Sequence, residues 1–315
     1  MSGVLVRTCA KVNLSLRVLG TRADGYHEVQ TVMQAIGLWD CVGLTPRDDD
    51  LIKVEVPGGE APADETNTCW RAARAFAERT GVPRGVRIEL RKSVPAGAGL
   101  GGGSSDAAAT LAGLARLWEA GLRGGPTGPP PLLSERQLED LAAQIGADVP
   151  FFLRGGCCLA RGKGERLRPL SAVAMWMVAV TPNEPVSTAE AYAAFGRSPV
   201  TRNRPRLTRP VQRMVAAVKQ GDVEAVARAL HNDFEPLGLP GLTAARRAKA
   251  ALLASGCLGA SVSGSGSAVF GIARNLAHAQ AAASDLRQEW DWVQVVRTLQ
   301  AQESMVIGEL QEGTT

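Results

Sequence analysis

Apolar residues alternate with polar ones, or form β-branched runs, in the first part of the chain. This pattern predicts strands over residues 4–8, 12–18, 28–36 and 51–56, and over Val86–Arg91. Apolar positions at helical spacing predict a helix over residues 67–80, with Asn67 as its N-cap and Gly81 as its stop. A second helix is predicted over residues 134–145, which open with the capping box Ser134-x-x-Gln137.

The pattern restarts after about residue 155, where strands and helices are interleaved. It predicts strands over 176–181, Gly259–Val262, 268–272 and 292–298, and helices over 188–195, 207–220, 223–231, 242–255 and 276–289. The stretch 124–131 is rich in proline and glycine and is predicted to be a surface spacer. We therefore predict two α+β domains, residues 1–154 and 155–315.

One segment breaks this pattern with five glycines in seven positions. It runs Pro-Ala-Gly-Ala-Gly-Leu-Gly-Gly-Gly-Ser-Ser-Asp over residues 95–106, between the strand Val86–Arg91 and a run of apolar residues at helical spacing. Glycines between a strand and a helix start leave backbone N–H groups free to surround an anion, and the helix dipole adds to the attraction. The segment predicts a phosphate-binding loop.

Two other glycine motifs share part of this spacing. The dinucleotide fingerprint fits Gly97, Gly99 and Gly102, but it belongs on the first strand of a βαβ unit, and here it comes almost a hundred residues in. The P-loop spacing also fits, but Gly103 stands where its lysine must be. A nucleoside triphosphate in this loop would need a cation from elsewhere in the chain.

Composition narrows the class of protein. The 315 residues carry a net charge of +4. The apolar fraction of 45% and the charged fraction of 21% are typical of globular proteins. No apolar run approaches the ~20 residues of a membrane span, and the N-terminus lacks a signal-peptide pattern. Dispersed arginines argue against nucleic-acid binding, and six scattered cysteines suit reduced thiols. We expect a cytoplasmic, small-molecule enzyme, monomeric or weakly dimeric, without nucleic-acid or membrane partners.

Lysine is rare here, so the two lysines beside motifs, Lys11 and Lys92, are informative. Alone, Lys11 could snorkel from its strand, and Asp148 could serve as an N-cap or in an Asx-turn. Together with a phosphate loop they suit phosphoryl transfer to a hydroxyl. Asp148 would accept the hydroxyl proton, and Lys11 would stabilise the alkoxide.

The chain resembles the GHMP kinases in three places. These are Lys11-Val-Asn13, the glycine loop, and Ser-Gly-Ser-Gly over residues 263–266. The resemblance implies an α+β fold of two domains, the first like ribosomal protein S5 domain 2 and the second ferredoxin-like. It also implies ATP and Mg²⁺ as cofactors.

A narrower resemblance rests on Arg-Ala-Asp-Gly-Tyr-His (22–27), Gly-Ala-Asp-Val-Pro-Phe-Phe (146–152) and Val-Ser-Thr-Ala-Glu-Ala-Tyr (186–192). It implies a transferase that phosphorylates the 2-hydroxyl of a cytidine-diphosphate-linked methylerythritol in the non-mevalonate (MEP) route to isoprenoids. Two alternatives remain. One is a family member acting on a smaller alcohol, of the homoserine or mevalonate type, and the other is a catalytically silent nucleotide-binding relative.

The resemblance also implies roles for individual residues. Lys11 and Asp148 match the catalytic pair. The positions implied for ATP binding are Asn67, Lys92, Pro95, Gly97, Gly99, Leu100, Gly101, Gly102, Gly103, Ser104 and Ser105. Those implied for substrate binding are Asn13, Tyr26, His27, Thr188, Tyr192, Ser263 and Gly264, with the rings of Tyr26 and Tyr192 sandwiching cytosine. The Mg²⁺ ligands stay open, Ser104 being the one side chain suggested, and Asp106 receives no ligand role.

Overall fold

The structure, a computed structural model, describes residues 3–82, 85–122, 132–198 and 209–310. The predicted spacer at 124–131 and the first two residues of the helix predicted over 207–220 lie outside the described residues. Among the helices of the described ranges, none is long and apolar enough to cross a membrane.

Twelve strands are present in the described ranges: β1 (Gly3–Thr21), β2 (His27–Pro46), β3 (Ile52–Glu55), β4 (Val86–Arg91), β5 (Cys157–Gly162), β6 (Arg166–Leu170), β7 (Trp176–Val180), β8 (His231–Asn232), β9 (Gly259–Val262), β10 (Val269–Ala273), β11 (Val293–Arg297) and β12 (Met305–Leu310). The larger sheet has the order β12-β1-β2-β4-β3, with β5 beside β2, β6 beside β5, and β8 beside β1. The smaller sheet has the order β11-β7-β10-β9.

The helices of the described ranges are α1 (Thr68–Thr80), α2 (Gly102–Leu122), α3 (Glu135–Ile145), α4 (Val149–Arg154), α5 (Thr188–Arg197), α6 (Arg209–Gln220), α7 (Val223–Ala229), α8 (Pro240–Ala254) and α9 (Leu276–Leu286). The predicted caps are confirmed. The Asn67 side chain accepts a hydrogen bond from the Cys69 N–H, Gly81 ends α1 with φ 74°, and Ser134 and Gln137 form the capping box.

Prediction of two separate strands at 4–8 and 12–18 was wrong, because β1 runs unbroken through both. Its pairing with β2 shifts register between Cys9 and Ala10 and again between Asn13 and Ser15. Such bulges disturb the alternation of apolar and polar positions without ending the strand, and they re-aim the side chains near them. Lys11 and Asn13 lie between the two shifts.

Each sheet is covered by helices. Helices α1 to α4 pack with the larger sheet around Phe76, Phe151 and Phe152, all fully buried. Helices α8 and α9 pack with the smaller sheet. The smaller sheet is antiparallel throughout and follows the order strand, helices, two strands, helix, strand, which is the ferredoxin-like arrangement. The predicted α+β class is confirmed.

The division at residues 154 and 155 stays a prediction. Strands β5, β6, β8 and β12 follow it in sequence but hydrogen-bond within the larger sheet. The second part of the chain therefore contributes strands to the larger sheet at three separate points.

Candidate active site

A cleft of about 830 Å³ opens between the glycine loop, β1 and the loop that follows β9. It brings together most of the residues that the sequence indicated. Those on its wall are Lys11, Asn13, Tyr26, His27, Pro95, Gly97, Gly99, Gly101, Gly102, Gly103, Ser104, Asp148, Thr188, Tyr192 and Gly264.

Five of the predicted site residues do not line the cleft. Asn67 caps α1, and the Leu100 side chain is buried in the core. Lys92 lies in a buried ion-pair cluster behind the glycine loop. Ser105 and Ser263 hold the backbone of the site from behind. Direct contacts of these five with ATP or substrate therefore stay predictions.

Lys11 is the most enclosed charged group of the cleft, with 3% of its side chain exposed. Its ammonium donates to Asn13 Oδ1 at 2.6 Å and to the carbonyl oxygen of Gly99 at 2.9 Å. Asp148 Oδ2 lies 3.6 Å from Lys11 Nζ. Burial lowers the pKa of Lys11 below its ordinary value, and the neighbouring Asp148 carboxylate opposes that shift.

Asp148 occupies the N-cap position of α4, but its side chain makes no capping hydrogen bond. About a third of that side chain is exposed, and it faces the cleft. Its carboxylate is thus paired with Lys11 and does not accept a hydrogen bond from the N-terminus of α4. This placement leaves an oxygen acceptor beside a buried cation at the wall of the cleft, as the sequence predicted.

The glycine loop and the 263–266 loop touch through backbone atoms. Gly99 has φ +82°, and a Cβ built there would lie 2.2 Å from the carbonyl oxygen of Ser263. Gly264 has φ +57°, and its Cβ would lie 3.3 Å from Lys11 Nζ. The Gly99 carbonyl also accepts a hydrogen bond of 2.8 Å from Ser263 Oγ. Only glycine allows this approach, so both glycine motifs serve to place Lys11.

Helix α2 begins at Gly102 and presents its N-terminus to the cleft, with Gly102, Gly103 and Ser104 on the wall. The helix start is fastened to β1 by Ser105, whose Oγ donates to the Cys9 carbonyl at 2.6 Å and lies 2.7 Å from Thr8 Oγ1. The unpaired N–H groups of a helix's first turn, together with its dipole, form an anion site. We call this region, with Lys11 and Asp148, the phosphate end.

The residues of the phosphate end fit a nucleoside triphosphate with its metal ion. A Cβ added at Gly97, which lines the cleft, would meet nothing within 4 Å, so the loop leaves open space beside its backbone. The described residues contain no group of three or more His, Cys, Asp or Glu side chains that could hold a metal. In the cleft, Mg²⁺ would therefore rely mainly on phosphate oxygens and water, and Ser104 and Asp148 are two wall residues whose side-chain oxygens could add to them.

Lys92 is held between two buried carboxylates behind the phosphate end. Its ammonium lies 2.5 Å from Asp40 Oδ2 and 2.7 Å from Asp106 Oδ2. Burial alone would lower the pKa of Lys92, but the two carboxylates outweigh it and raise that pKa. Burial and Asp40 raise the pKa of Asp106 to about 7, although Lys92 opposes the shift. The ion pairs of Lys92 with Asp40 and Asp106 thus connect β2 to the start of α2 inside the protein.

The other end of the cleft is aromatic. The rings of His27 and Tyr192 stack with centroids 4.6 Å apart, and Phe234 meets Tyr192 edge-on at 4.9 Å. Tyr26 is 57% exposed, and the ammonium of Lys163 lies 4.4 Å above its ring. Burial lowers the pKa of His27. We call this region the aromatic end. Tyr26 and Tyr192 line the same cleft, as predicted.

Sequence reasoning missed several wall residues, among them Thr31, Lys163, Phe234 and Ser265. It also missed Asn232, whose Nδ2 donates to the carbonyl oxygens of Val262 and Gly264 at 2.8 Å each. A polar run, His-Asn-Asp, at the end of the helix predicted over 223–231 was the signal available for Asn232. Nothing near Lys163 in sequence marks it as part of the cleft.

Comparison with known proteins identifies the class. The N-terminal domain profile of the GHMP kinases matches residues 67–156, and their C-terminal domain profile matches residues 214–291. The chain belongs to the GHMP kinases. A protein of Alkaliphilus metalliredigens is 41% identical over 287 residues, covering 91% of this chain and 93% of its own length. It is named 4-diphosphocytidyl-2-C-methyl-D-erythritol kinase.

Solved structures agree with this grouping. A crystal structure of 4-(cytidine 5'-diphospho)-2C-methyl-D-erythritol kinase aligns with a TM-score of 0.75 and 35% identity, covering 93% of this chain and 98% of that one. A homoserine kinase from Cytophaga hutchinsonii aligns with a TM-score of 0.72 at 22% identity, covering 98% of each chain. The second match supports the fold alone.

Proposed function

We propose that this protein is an ATP-dependent kinase that phosphorylates the 2-hydroxyl of 4-diphosphocytidyl-2-C-methyl-D-erythritol. The observation that carries the proposal is the pairing of Lys11 with Asp148, 3.6 Å apart, beside a glycine loop that leads into the N-terminus of α2. Relatives that are about 40% identical over most of the chain bear the name of this activity. The enzyme acts on a small molecule in the cytoplasm, as a monomer or weak homodimer.

In this proposal Asp148 accepts the proton of the substrate hydroxyl as the oxygen of that hydroxyl attacks the γ-phosphorus of ATP. The new O–P bond forms while the bond from the γ-phosphorus to the β,γ-bridging oxygen breaks, and ADP leaves. The Lys11 ammonium stabilises the negative charge on the attacking oxygen and holds Asp148 in place. Because Lys11 is buried, its charge acts with little screening by water.

The backbone of the phosphate end holds the triphosphate. N–H groups of the glycine loop and the first turn of α2 donate to phosphate oxygens, and the helix dipole favours their charge. Mg²⁺, when bound with ATP, neutralises charge on the β- and γ-phosphates during transfer.

The aromatic end suits a cytosine ring. Tyr26 is exposed and can offer a ring face for stacking. Tyr192 stacks on His27 and is in edge-on contact with Phe234, so the cytosine ring uses the part of Tyr192 that His27 does not cover. His27 lies against Tyr192 and can hydrogen-bond to a base edge. The methylerythritol then lies between the base and the γ-phosphate, next to Asn13 on the wall of the cleft.

The test is ADP release, coupled to a spectrophotometric assay, with and without the cytidine-diphosphate-linked substrate. We expect turnover only with that substrate, and none with homoserine or mevalonate. Turnover with homoserine or mevalonate, and none with the cytidine substrate, would show that the protein is the family member that acts on that smaller alcohol. ATP binding by calorimetry without turnover on any of the three alcohols would indicate a silent nucleotide-binding protein.

A further inference from the structure

The start of the glycine loop is held by a buried carboxylate, that of Asp40. Asp40 lies in β2, and none of its surface is exposed. Its Oδ1 accepts hydrogen bonds from the backbone N–H groups of Ser93 and Val94, at 2.6 and 2.9 Å, immediately before the loop. Its Oδ2 accepts a hydrogen bond from Lys92 Nζ at 2.5 Å. Both oxygens of Asp40 are therefore in use.

Lys92 carries the connection to the other end of the loop. Its ammonium also donates to Asp106 Oδ2, at 2.7 Å, near the start of α2. A Cβ added at Gly102, the first residue of α2, would lie 3.0 Å from Lys92 Nζ and 3.0 Å from Val94 Cγ1. The two ends of the loop thus meet at Lys92, and Asp40 and Asp106 bind it from either side. We call the side chains of Asp40, Lys92 and Asp106 the clamp.

The two carboxylates of the clamp differ in what they hold. Asp40 uses one oxygen for the start of the loop and the other for Lys92. Asp106 uses Oδ2 for Lys92, and its Oδ1 has no hydrogen-bond partner among the described residues. An asparagine amide has one acceptor oxygen and one donor nitrogen. An amide could therefore replace the carboxylate of Asp106, but at position 40 it could serve the loop start or Lys92 and not both.

We propose that Asp40 is a positioning residue for ATP, which acts by holding the two ends of the glycine loop together through Lys92. The inference rests on the proposed function, because it assigns the loop to the triphosphate. Backbone N–H groups bind an anion best when they are held in place before it arrives, and buried charge-assisted hydrogen bonds hold them firmly. Asp40 does not line the cleft, so its effect on ATP passes through the loop.

Calorimetry on the full chain with a non-hydrolysable ATP analogue tests the clamp. Asp40→Asn should weaken binding by ~10-fold or more, whereas Asp106→Asn should stay within ~3-fold of the parent. Both substitutions remove one negative charge from the same buried cluster. Their comparison therefore separates the clamp from a change in the electrostatic field at the phosphates. Equal affinities of the two variants, whether both are weakened or both unchanged, would overturn the proposal.

The fitted number of sites separates positioning from folding. If Asp40 served only to keep the protein folded, Asp40→Asn would lower the number of sites per chain and leave the affinity of the remaining sites unchanged. We expect close to one site per chain with weakened affinity. The KM for the cytidine substrate should stay within ~3-fold of the parent, because the aromatic end is built from other residues. Fewer sites at unchanged affinity would refute the positioning role.

Asp106→Leu tests the clamp from its other end. Leucine is close to asparagine in shape but offers no acceptor to Lys92, so the ATP analogue should bind ~10-fold more weakly to Asp106→Leu than to Asp106→Asn. The control Thr110→Val removes a different buried hydrogen bond from α2 and should bind within ~2-fold of the parent. Equal affinities of the two Asp106 variants would count against the clamp. No binding by the parent protein would overturn the proposed function, and the clamp with it.

Discussion

The two ends of the cleft are built in different ways. At the phosphate end, Lys11 is 3% exposed, and the Gly99 carbonyl, the Asn13 side chain and the contact with Gly264 fix the position of its ammonium. At the aromatic end, Tyr26 is 57% exposed, and the contacts are between side-chain rings. Groups that do chemistry must hold their positions before the substrate arrives. Groups that recognise a flat base can adjust when it binds. The comparison predicts rate defects at one end and affinity defects at the other.

The largest effect is expected from Asp148→Asn. The substitution keeps the shape of the side chain but removes the proton acceptor, so kcat should fall by roughly 10²–10⁴-fold. The KM for the cytidine substrate should change by less than ~3-fold. The matched control is Asp140→Asn, which alters an exposed carboxylate on α3. A kcat within ~3-fold of the parent in Asp148→Asn would remove the general base from the account.

Gly99→Ala should come next. The added Cβ would meet the Ser263 carbonyl at 2.2 Å in a backbone conformation that alanine avoids, so the loops must separate and displace Lys11. We expect kcat to fall by ~10²-fold, since misplacements of about 1 Å cost this much. Gly238→Ala is the control, because its Cβ would meet nothing within 4 Å. Equal activity of the two variants would show that the glycine contact is dispensable.

Asn232→Ala tests the same end without touching the loop glycines. It removes two hydrogen bonds, each 2.8 Å long, that hold the Val262 and Gly264 carbonyls. We expect kcat to fall by ~10-fold, corresponding to roughly 1–2 kcal/mol, with KM little changed. Asn183→Ala, which removes an exposed asparagine–aspartate hydrogen bond, is the control. A defect confined to KM would place Asn232 with substrate recognition instead.

Tyr192→Ala tests the aromatic end. Loss of a stacking ring should raise the KM for the cytidine substrate by roughly 5–100-fold, because stacking on a base contributes about 1–3 kcal/mol. The KM for ATP should stay within ~2-fold. Tyr192→Phe keeps the ring and should behave like the parent. A large fall in kcat with an unchanged KM would contradict the division between the two ends.

The pH dependence of the rate offers a smaller but sharper test. Burial lowers the pKa of Lys11, so its ammonium loses the proton at a lower pH than an ordinary lysine, whose pKa is 10.5. If the charged form is needed, kcat should decline on the alkaline side below pH 10.5. Asp148→Asn removes the carboxylate that favours the charged form and should shift the decline to still lower pH. An unshifted alkaline limb would mean that another group controls it.

The two ends also differ in what sequence could predict. The place of the glycine loop and Lys11 in one cleft was predictable from local sequence. The glycine spacing indicated a phosphate loop, and the missing P-loop lysine indicated that a cation comes from elsewhere in the chain. The α+β class followed from local periodicity, and the caps of α1 and α3 followed from the residue types at the helix ends. Lys163 could not be predicted, since it reaches the site through tertiary packing from a segment without a motif. Asn232 had only the short polar run His-Asn-Asp as a signal, and its hydrogen bonds to the 262–264 backbone depend on tertiary packing.

Two further features show why local patterns were insufficient. The bulges in β1 disturbed its alternation, so one strand was predicted as two. A contact of Lys92 with ATP stays a prediction, but its pairing with Asp40 and Asp106 was not predicted, because it depends on residues 52 and 14 positions away in sequence. Burial of a charge between partners of this kind is decided by the fold rather than by neighbouring residues.

The central claim is that Lys11 and Asp148 act as one unit in phosphoryl transfer. The measurement is kcat with the cytidine substrate for Lys11→Met, Asp148→Asn and the double variant, each with its ATP affinity measured by calorimetry. Residues that act together show strongly non-additive losses. We predict that the double variant is no slower than the worse single variant, within ~3-fold, and that each variant still binds ATP. Losses that multiply in the double variant would contradict the claim, because they would show that the two groups act independently.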